Sequence, residues 1–254
     1  MKNTSQRRED ILTKLKDLGS VTVANLAQQY SVSSVTIRND LTFLEQQGTL
    51  MRSYGGAINK QNLIDESSIE EKSALNSPQK CNIAKIAASL IQDGDSVIFD
   101  SGTTTEKITE YLNESQNIIV MTNGLNVAQK LLRHDNVKLM MPGGNLRKKS
   151  LSFYGVQAEE NLKAYHFDKL FLGVDGFHLE RGITTHNEHE ASLNRTMASI
   201  ANEVIVVADS SKFGKVSLHK ILAPKNISIL ITDSNIPDDY VAGLEKQGIK
   251  IIIV

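Results

Sequence analysis

The spacing of apolar residues near the N-terminus predicts three short helices. In the first, apolar side chains recur on one face at Ile11, Leu12, Leu15 and Leu18. In the second, the same spacing recurs at Val23, Leu26, Ala27 and Tyr30. The third begins after Ser33, ends before Gly48 and places on one face Ile37, Leu41 and Leu44. Because each helix has one apolar face, the three are expected to share a small core.

A hairpin is predicted after the third helix. Residues 50–58 form two short runs that turn at Gly55 and Gly56. Three helices followed by a hairpin are the element order of a winged helix-turn-helix, which inserts its recognition helix into the major groove of DNA. We therefore predict a DNA-binding domain over residues 1–58.

A different pattern fills the rest of the chain. Residues 59–79 are polar and predict a linker, with a short helical piece around Ser68 to Ala74. From Lys80 onward, helical patterns alternate with apolar runs typical of buried strands. These runs lie at Ser96–Asp100, Ile118–Met121, Val137–Met141, Lys169–Leu172, Val204–Ala208, Ile227–Ile231 and Lys250–Val254. The alternation predicts an α/β domain over residues 80–254, with a mostly parallel sheet covered by helices on both faces.

Composition narrows the class of protein. The 254 residues are 40% hydrophobic and 22% charged, which is ordinary for a globular protein. No apolar run approaches the roughly 18 residues of a membrane span. The polar N-terminus lacks the features of a secretory signal, and the single cysteine, Cys81, can form no internal disulfide. We expect a cytoplasmic protein with no membrane partner.

Charge is distributed unevenly between the two predicted domains. Residues 1–60 carry eight basic and five acidic side chains, whereas the remainder carries 20 basic and 24 acidic ones. A mildly basic N-terminal domain joined to an acidic body suits binding of nucleic acid by the first domain alone.

The candidate DNA contacts lie on the outer face of the third helix and in the hairpin. Hydroxyl, guanidinium and amide groups suit phosphate oxygens and base edges. The candidates are Ser33, Ser34, Thr36, Arg38, Asn39, Arg52, Ser53 and Tyr54. The alternative is that Ser33 only caps a helix and that Arg38 pairs with Asp40 or Glu45 on a solvated surface.

These residues also carry a resemblance. Arg8, Ile11 and Leu15, followed by the run at residues 32–41 and the run Arg-Ser-Tyr-Gly-Gly at residues 52–56, resemble the N-terminal signature of the DeoR family of bacterial regulators. The resemblance extends over essentially the whole chain. It implies a DNA-binding head joined to a sensor domain similar in fold to ribose-5-phosphate isomerase and glucosamine-6-phosphate deaminase.

Small and polar residues follow several of the predicted strands. The run Ser101-Gly102-Thr103-Thr104-Thr105 lies where a strand gives way to a helix, a place where free backbone N–H groups and the helix dipole favour an anion. A single turn of this kind is more often an ordinary capped turn. Small or polar turns of this kind follow five of the predicted strands. Together, five turns at the carboxyl ends of strands predict a ligand pocket at one edge of the sheet.

The resemblance assigns roles within this pocket. It implies that the loop from Ser101 to Thr105 holds a sugar phosphate, with Asp175 and Lys212 as further ligands. The acid/base loop of the isomerases is replaced here by residues 184–188, which argues against catalysis, although Glu188 is expected to accept a sugar hydroxyl. Whether Arg147, Lys148 and Lys149 meet phosphate or solvent stays open. The complete set of predicted effector contacts is Asp100, Ser101, Gly102, Thr103, Thr104, Thr105, Thr122, Asn123, Gly124, Gly143, Gly144, Arg147, Gly173, Asp175, Gly176, Glu188 and Lys212.

Within the family, the chain is similar to repressors of N-acetylgalactosamine and galactosamine utilisation operons. Runs that carry this similarity include residues 100–105, 152–155, 165–168, 179–182, 185–188 and 217–220. The similarity implies an amino-sugar phosphate effector, such as N-acetylgalactosamine 6-phosphate or galactosamine 6-phosphate.

The combined prediction is a transcriptional repressor whose affinity for operator DNA changes when a phosphorylated sugar binds. Paired DNA half-sites predict a homodimer or homotetramer. No cofactor and no catalytic residue are expected. His186 and His189 lie three residues apart near Glu188 and Glu190, but without a third convergent ligand in the sequence no metal site is expected either. The alternatives are a sugar-phosphate isomerase or deaminase with a DNA-binding appendage, and a DNA-binding scaffold with an empty pocket.

Overall fold

The N-terminal domain forms around a small apolar core. This computed structural model describes residues 3–18, 20–53, 55–59 and 66–254. The elements of the domain are α1 (Thr4–Leu18), β1 (Ser20–Thr22), α2 (Val23–Tyr30), α3 (Ser34–Gln46), β2 (Leu50–Ser53) and β3 (Gly56–Asn59). The predicted helices and hairpin are present, and the core includes Ile11, Leu15, Ile37 and Leu41, all of them buried.

Strand β1 was not predicted from the sequence. It pairs with β3 in an antiparallel sheet of order β1-β3-β2, so the hairpin is tied back to the chain between the first two helices. The close pairing requires a glycine, because a Cβ atom at Gly56 would lie 2.0 Å from the carbonyl oxygen of Val21. Three residues between two helices are too short to show a strand period.

Two helices lead from the head into the second domain. They are α4 (Ile69–Ala74) and α5 (Ser77–Ser89). The helix predicted around residues 68–74 is therefore present, with Ser68 and Glu71 forming a reciprocal cap at its start. Helix α5 begins three residues before the expected start of the second domain.

The second domain contains a seven-stranded parallel sheet. Its strands, in chain order, are β4 (Ser96–Phe99), β5 (Ile118–Thr122), β6 (Val137–Met140), β9 (Phe167–Leu172), β12 (Ala201–Val207), β14 (Ile229–Thr232) and β15 (Lys250–Ile253). They are arranged in the order β15-β14-β12-β9-β4-β5-β6, and every pair is parallel. The predicted fold class is confirmed, because buried apolar clusters cover both faces of this sheet.

Helices connect the strands, and smaller sheets lie beside the main one. The helices are α6 (Thr103–Ile108), α7 (Leu125–Leu131), α8 (Val156–Lys163), α9 (Glu188–Ser199) and α10 (Asp238–Glu245). An antiparallel sheet of order β10-β11-β13 contains β10 (Gly176–His178), β11 (Gly182–Thr185) and β13 (His219–Leu222). A hairpin pairs β7 (Asn145–Arg147) with β8 (Ser152–Tyr154).

The order of the strands decides which loops can meet. Strands β12, β9 and β4 are neighbours at the centre of the sheet, so the loops at their carboxyl ends lie side by side. Strands β5 and β6 lie farther toward one edge. None of the helices in the described part of the chain is long and apolar enough to cross a membrane.

Candidate functional site

Helix α3 presents a polar face away from the core of the N-terminal domain. The side chain of Ser33 accepts a hydrogen bond from the backbone N–H of Thr36 at 3.1 Å, and this cap fixes the start of the helix. Ile37 and Leu41 are fully buried, which leaves the opposite face exposed. On that face lie the predicted contacts Ser34, Arg38 and Asn39, all exposed.

A buried carboxylate holds α3 in position against α1. Asp40 is 2% exposed, and its two oxygens accept hydrogen bonds from Arg7 Nε at 2.6 Å and Arg8 Nε at 2.7 Å. The guanidinium of Arg8 also lies over the ring of Phe43, 3.9 Å from its centroid. Asp40 is thus engaged by α1, and Arg38 forms no ion pair with any residue that the structure describes. The arrangement fixes the recognition helix and leaves Arg38 facing solvent.

The hairpin residue Arg52 contacts the recognition helix. Its Nη1 donates a hydrogen bond to Thr42 Oγ1 at 2.7 Å, and its backbone N–H donates to Glu45 Oε1 at 2.8 Å. These contacts orient the hairpin on α3 and hold Nη1 of Arg52 against Thr42. The predicted contact Tyr54 lies outside the described residues, as does the side chain of Ser53.

In the second domain, the loops after β4 and β9 line a cleft. Lys212, in the 3-10 turn Ser210–Lys212 after β12, lies on the same cleft. Helices α4, α5 and α9 contribute further polar side chains, as do Ser67, Thr185 and the turn between β7 and β8. The predicted residues that line it are Asp100, Ser101, Gly102, Thr103, Thr104, Gly173, Asp175 and Lys212. A second compartment is also lined by Lys72, Lys80 and Lys212. It continues toward His186, Lys215 and Ser217.

Asp100 is a buried carboxyl at the floor of the cleft. Burial, followed by the negative charge of Glu190, raises its pKa to about 7, although hydrogen bonds from the backbone N–H groups of Ser101 and Gly173 act in the opposite direction. Two glycines make room for it, since a Cβ atom at Gly102 or Gly173 would lie 3.4 or 3.3 Å from Asp100 Oδ2. A carboxyl with such a pKa can either donate or accept a hydrogen bond near neutral pH.

Asp175 lies opposite and is ionised. Burial by itself raises its pKa, but the positive charges of Lys72, Lys212 and His186 outweigh burial and hold the pKa well below the usual range. Lys72 Nζ lies 2.8 Å from Asp175 Oδ1, and Thr185 Oγ1 lies 2.9 Å from Asp175 Oδ2. Asp100 is therefore a proton-binding carboxyl and Asp175 a fixed negative charge in the same cleft.

The cationic side of the cleft is formed by lysines from different elements. Lys80, on α5, donates a hydrogen bond to the backbone carbonyl of Lys72. Burial and the nearby charge of Lys212 lower its pKa to about 8. Burial and Lys212 also lower the pKa of Lys215. Crowded lysines of this kind gain charge when an anion binds among them, so this side favours a phosphate or another multiply charged anion.

The structure places several other predicted contacts behind the cleft. Thr105 is fully buried, and its Oγ1 lies 2.7 Å from the carbonyl oxygen of Asp100, where it holds the turn. Thr122 and Asn123 are buried and do not line the cleft. Gly124 packs against the loop after β4, since a Cβ atom there would lie 2.8 Å from Ser101 Cα. Thr105 and Gly124 therefore support that loop.

The remaining predicted glycines and Glu188 also lie away from the cleft lining. A Cβ atom at Gly144 would lie 2.5 Å from the carbonyl oxygen of Tyr154, and one at Gly176 would lie 2.6 Å from that of Lys215. Both glycines therefore permit close packing of the backbone, and Gly143 precedes the first of them with a positive φ. Glu188 is exposed at the first residue of α9.

The basic run after β6 divides into different roles. Arg147 forms ion pairs with Glu66 and, at 3.2 Å, with Glu190. Lys149 lines the cleft, whereas Lys148 is exposed to solvent.

His189 stacks on the ring of Tyr154, with centroids 4.8 Å apart. Across the described ranges, no group of three or more His, Cys, Asp or Glu side chains is arranged to hold a metal ion.

Four functional side chains were missed from the sequence. Glu190 and Asn194 line the cleft from α9, and Lys72 and Lys80 line it from the segment expected to be a linker and from the start of α5. Glu190 and Asn194 lie at i and i+4 on the face of α9 that also buries Met197. Polar residues at core positions of a helix were therefore an available signal. Lys72 and Lys80 do not follow a strand, so the pattern of small and polar residues at strand ends does not indicate them.

Comparison with known protein families agrees with both halves of the molecule. Residues 7–62 match the family model described as a DeoR-like helix-turn-helix domain, and residues 75–234 match the DeoR C-terminal sensor domain. The chain belongs to the DeoR family. The resemblance seen in the sequence is thereby confirmed.

Relatives match over nearly the full length. A protein of Escherichia coli O157:H7 named "Putative aga operon transcriptional repressor" is 53% identical over 99% of this chain and 94% of its own length. The HTH-type transcriptional repressor GlcR of Bacillus subtilis is 34% identical over 98% of this chain and 95% of its own. Transcriptional repressor AccR of Agrobacterium fabrum is 31% identical, over 91% of this chain and 90% of its own length.

Solved structures give more distant matches. Ribose 5-phosphate isomerase A from Methanocaldococcus jannaschii is 20% identical over 54% of this chain and 55% of that chain, with a TM-score of 0.40. A probable sor operon regulator from Shigella flexneri is 14% identical over 69% of this chain and 93% of that chain, with a TM-score of 0.44.

Proposed function

We propose that this DeoR-family protein is a transcriptional repressor of a carbohydrate utilisation operon, released from its operator when a phosphorylated sugar binds the second domain. The observation that carries the proposal is the cleft, in which lysines and a hydroxyl-rich loop face one another beside carboxyl groups. An anionic group and sugar hydroxyls need these two chemistries side by side. The proposal includes the division into residues 1–58, 59–79 and 80–254, and a cytoplasmic location.

The phosphate group is proposed to lie between the loop after β4 and the lysines. Ser101, Thr103 and Thr104 supply hydroxyl and backbone donors there. Lys80 and Lys212 border the same space from α5 and from the turn after β12. Because the pKa of Lys80 is lowered to about 8, a bound phosphate dianion should raise it, and at pH 8 or above binding should be accompanied by proton uptake.

The sugar hydroxyls are proposed to meet the carboxyl groups. Asp100 and Asp175 line the cleft from two neighbouring strand ends, and Glu190 faces it from α9. We propose that Glu190, instead of Glu188, accepts a sugar hydroxyl. Glu190 is 9% exposed, and its Oε2 lies 3.3 Å from Thr185 Oγ1. An amino or N-acetylamino group at one sugar carbon suits a pocket that offers both a fixed anion and a protonated carboxyl.

The operator is proposed to bind the exposed face of α3. Arg38 and Asn39 project from a helix that Asp40 anchors to α1, which is the rigidity that base readout needs. Two heads of a homodimer or homotetramer would read paired half-sites. The name of the Escherichia coli relative, a putative transcriptional repressor of the aga operon, supports this assignment. The amino-sugar effector is proposed from the resemblance of the sequence to repressors of N-acetylgalactosamine and galactosamine utilisation operons.

An isomerase or deaminase with a DNA-binding appendage is the alternative function. The relatives named above are transcriptional regulators, which favours the regulator. We propose that the cleft senses its ligand without converting it, and that no cofactor takes part.

The test begins with a thermal-shift screen of hexose and hexosamine 6-phosphates against the purified protein. DNA duplexes selected from a random pool by the same protein then serve as operator. The expected result is that one amino-sugar 6-phosphate both raises the melting temperature and lowers affinity for the selected duplex, with no turnover. Conversion of the phosphosugar to product would establish the enzyme instead. A stabilised protein that keeps its DNA would refute the effector role, and the absence of any shift would leave the third possibility, a scaffold with an empty pocket.

A further inference from the structure

The segment that connects the head to the sensor domain is seated on the cleft. We call residues 66–76 the strap. Glu66 binds Arg147 through two hydrogen bonds, one of them 2.8 Å between Nη1 and Oε1. The backbone N–H of Ile69 donates to the carbonyl oxygen of Lys149 at 3.2 Å. Asn76 Nδ2 donates to Asp209 Oδ1 at 2.9 Å. The strap is therefore anchored to the β7–β8 hairpin at one end and to the loop after β12 at the other.

Between these anchors the strap contributes charge to the cleft itself. Lys72 Nζ lies 2.8 Å from Asp175 Oδ1, and Lys72 is also 3.8 Å from Glu66 Oε1. Arg147, which holds Glu66, is at the same time 3.2 Å from Glu190 Oε1. The ion pairs that seat the strap thus end on Asp175 and Glu190, which are carboxylates of the cleft.

The burial of these groups makes the ion pairs sensitive to an arriving ligand. The Glu66 side chain is 5% exposed, and those of Asp175 and Lys72 are 12% and 23% exposed. Burial lowers the pKa of Lys72, but the charge and hydrogen bond of Asp175 together with the charges of Glu66 and Glu190 outweigh burial, so the pKa is raised and the amine stays protonated. A sugar hydroxyl that binds Asp175 must share that carboxylate with Lys72, and a phosphate nearby offers Lys72 a competing anion.

We propose that the strap is the element that connects the cleft to the DNA-binding heads, and that an anionic sugar in the cleft displaces it from Asp175 and Arg147. The inference rests on the proposed function and adds its regulation. Because strap and sugar compete for the same carboxylates, each weakens the binding of the other. Since the sugar releases the operator, the seated strap belongs to the DNA-binding state, and the strap leads directly to the head through residues 59–65. A coupling of this kind must act equally in both directions.

The decisive variant is Glu66→Gln in the full-length chain. Glu66 does not line the cleft, so the change weakens the strap's anchor without altering the groups offered to a ligand. Without any ligand, the affinity for the selected duplex should fall about fivefold, and the affinity for galactosamine 6-phosphate, the probe, should rise by a similar factor. The exposed Glu203→Gln is the matched control and should change neither affinity.

A second variant and a measurement on the wild type complete the test. Lys72→Met should also weaken operator binding, and the exposed Lys85→Met on α5 should not. Lys72→Met is read only against DNA, because it removes a positive charge that the phosphate could use. In the wild type, galactosamine 6-phosphate should accelerate hydrogen exchange at the amide of Ile69, whose bond to Lys149 is broken when the strap leaves.

Several outcomes would overturn the inference. Unchanged operator affinity in both strap variants would show that the contacts of the strap with the cleft do not influence DNA binding by the heads. A parallel loss of both affinities in Glu66→Gln, together with a lower melting temperature, would show a purely structural role. Slower or unchanged exchange at Ile69 with the probe bound would mean that the sugar does not displace the strap. If the probe fails to bind the wild type, the effector assignment fails, while the ligand-free DNA measurements still decide the role of the strap.

Discussion

Replacing Asp100 by Asn removes the carboxyl at the floor of the cleft and isolates its electrostatic contribution. Asp100 is 6% exposed, and burial, together with the charge of Glu190, raises its pKa from 3.8 to about 7. The folded protein therefore binds this proton more tightly than the unfolded chain does. An Asn side chain of nearly the same shape keeps an oxygen for the backbone N–H groups of Ser101 and Gly173 and carries no titrating proton.

The sign of the effect follows from the raised pKa. Between pH 3.8 and about 7, the unfolded chain has lost the proton while the folded protein retains it, so the contribution of Asp100 to stability falls as the pH rises. Each pH unit in this window costs about 1.4 kcal/mol. Between pH 5 and pH 7 the loss is about 2 kcal/mol, because Asp100 is half ionised in the folded protein at pH 7. The loss levels off at about 3 kcal/mol above about pH 8, where both states are ionised.

The assay is urea denaturation of the wild type and Asp100→Asn at pH 5 and pH 8, followed by far-ultraviolet circular dichroism because the chain contains no tryptophan. Between these pH values, the free energy of unfolding of the wild type should fall by about 3 kcal/mol more than that of the variant. The exposed Asp135→Asn accounts for the loss of one negative charge in general. If wild type and Asp100→Asn kept a constant difference, Asp100 would already be ionised in the folded protein at pH 5, and our account of the cleft would be wrong.

Three further predictions concern the head and the phosphate loop. Arg38→Ala should lower operator affinity by at least about tenfold, a loss of about 1.4 kcal/mol or more, in a gel-shift titration, and should leave sugar-phosphate binding unchanged; loss of ligand binding would contradict independent domains. Asp40→Ala leaves the buried guanidinium of Arg7 without its carboxylate and should destabilise the head by about 3 kcal/mol, measured by the head's thermal transition; an unchanged transition would show that the pair is not stabilising. Thr104→Glu places a negative charge in the proposed phosphate loop and should give a repressor that keeps its operator at any effector concentration in a reporter assay; normal induction would move the phosphate site elsewhere.

The sequence determined the head almost completely. Its helices are amphipathic and adjacent in the chain, so the period of Ile11, Leu15, Ile37 and Leu41 sufficed to predict both the core and the exposed face of α3. Local signals also marked the seven strands of the main sheet and the turn before α6, but not the strands of the smaller sheets. What the pattern did not contain was β1, whose three residues become a strand only because β3 lies beside them.

The cleft was predicted in part. The loops after β4 and β9 contain glycines and hydroxyls next to apolar strands, so Asp100, Gly102 and Gly173 could be found from their neighbours in the chain. Gly124 and Gly176 show the same pattern, yet they pack against backbone and do not line the cleft. A glycine that allows a ligand to approach and one that allows another loop to approach look alike in a sequence.

Only the tertiary structure decided which of these loops meet. The order β12-β9-β4 brings three strand ends together at the centre of the sheet, whereas the loops after β5 and β6 lie beyond them, and strand order is set by long-range packing that no local period encodes. The phase of α9 likewise turns Glu190 inward and leaves Glu188 in solvent. The seating of Lys72 on Asp175 joins residues 103 positions apart. That contact arises from Coulomb attraction across a folded surface, so a polar segment that the sequence predicted as a linker becomes part of the cleft.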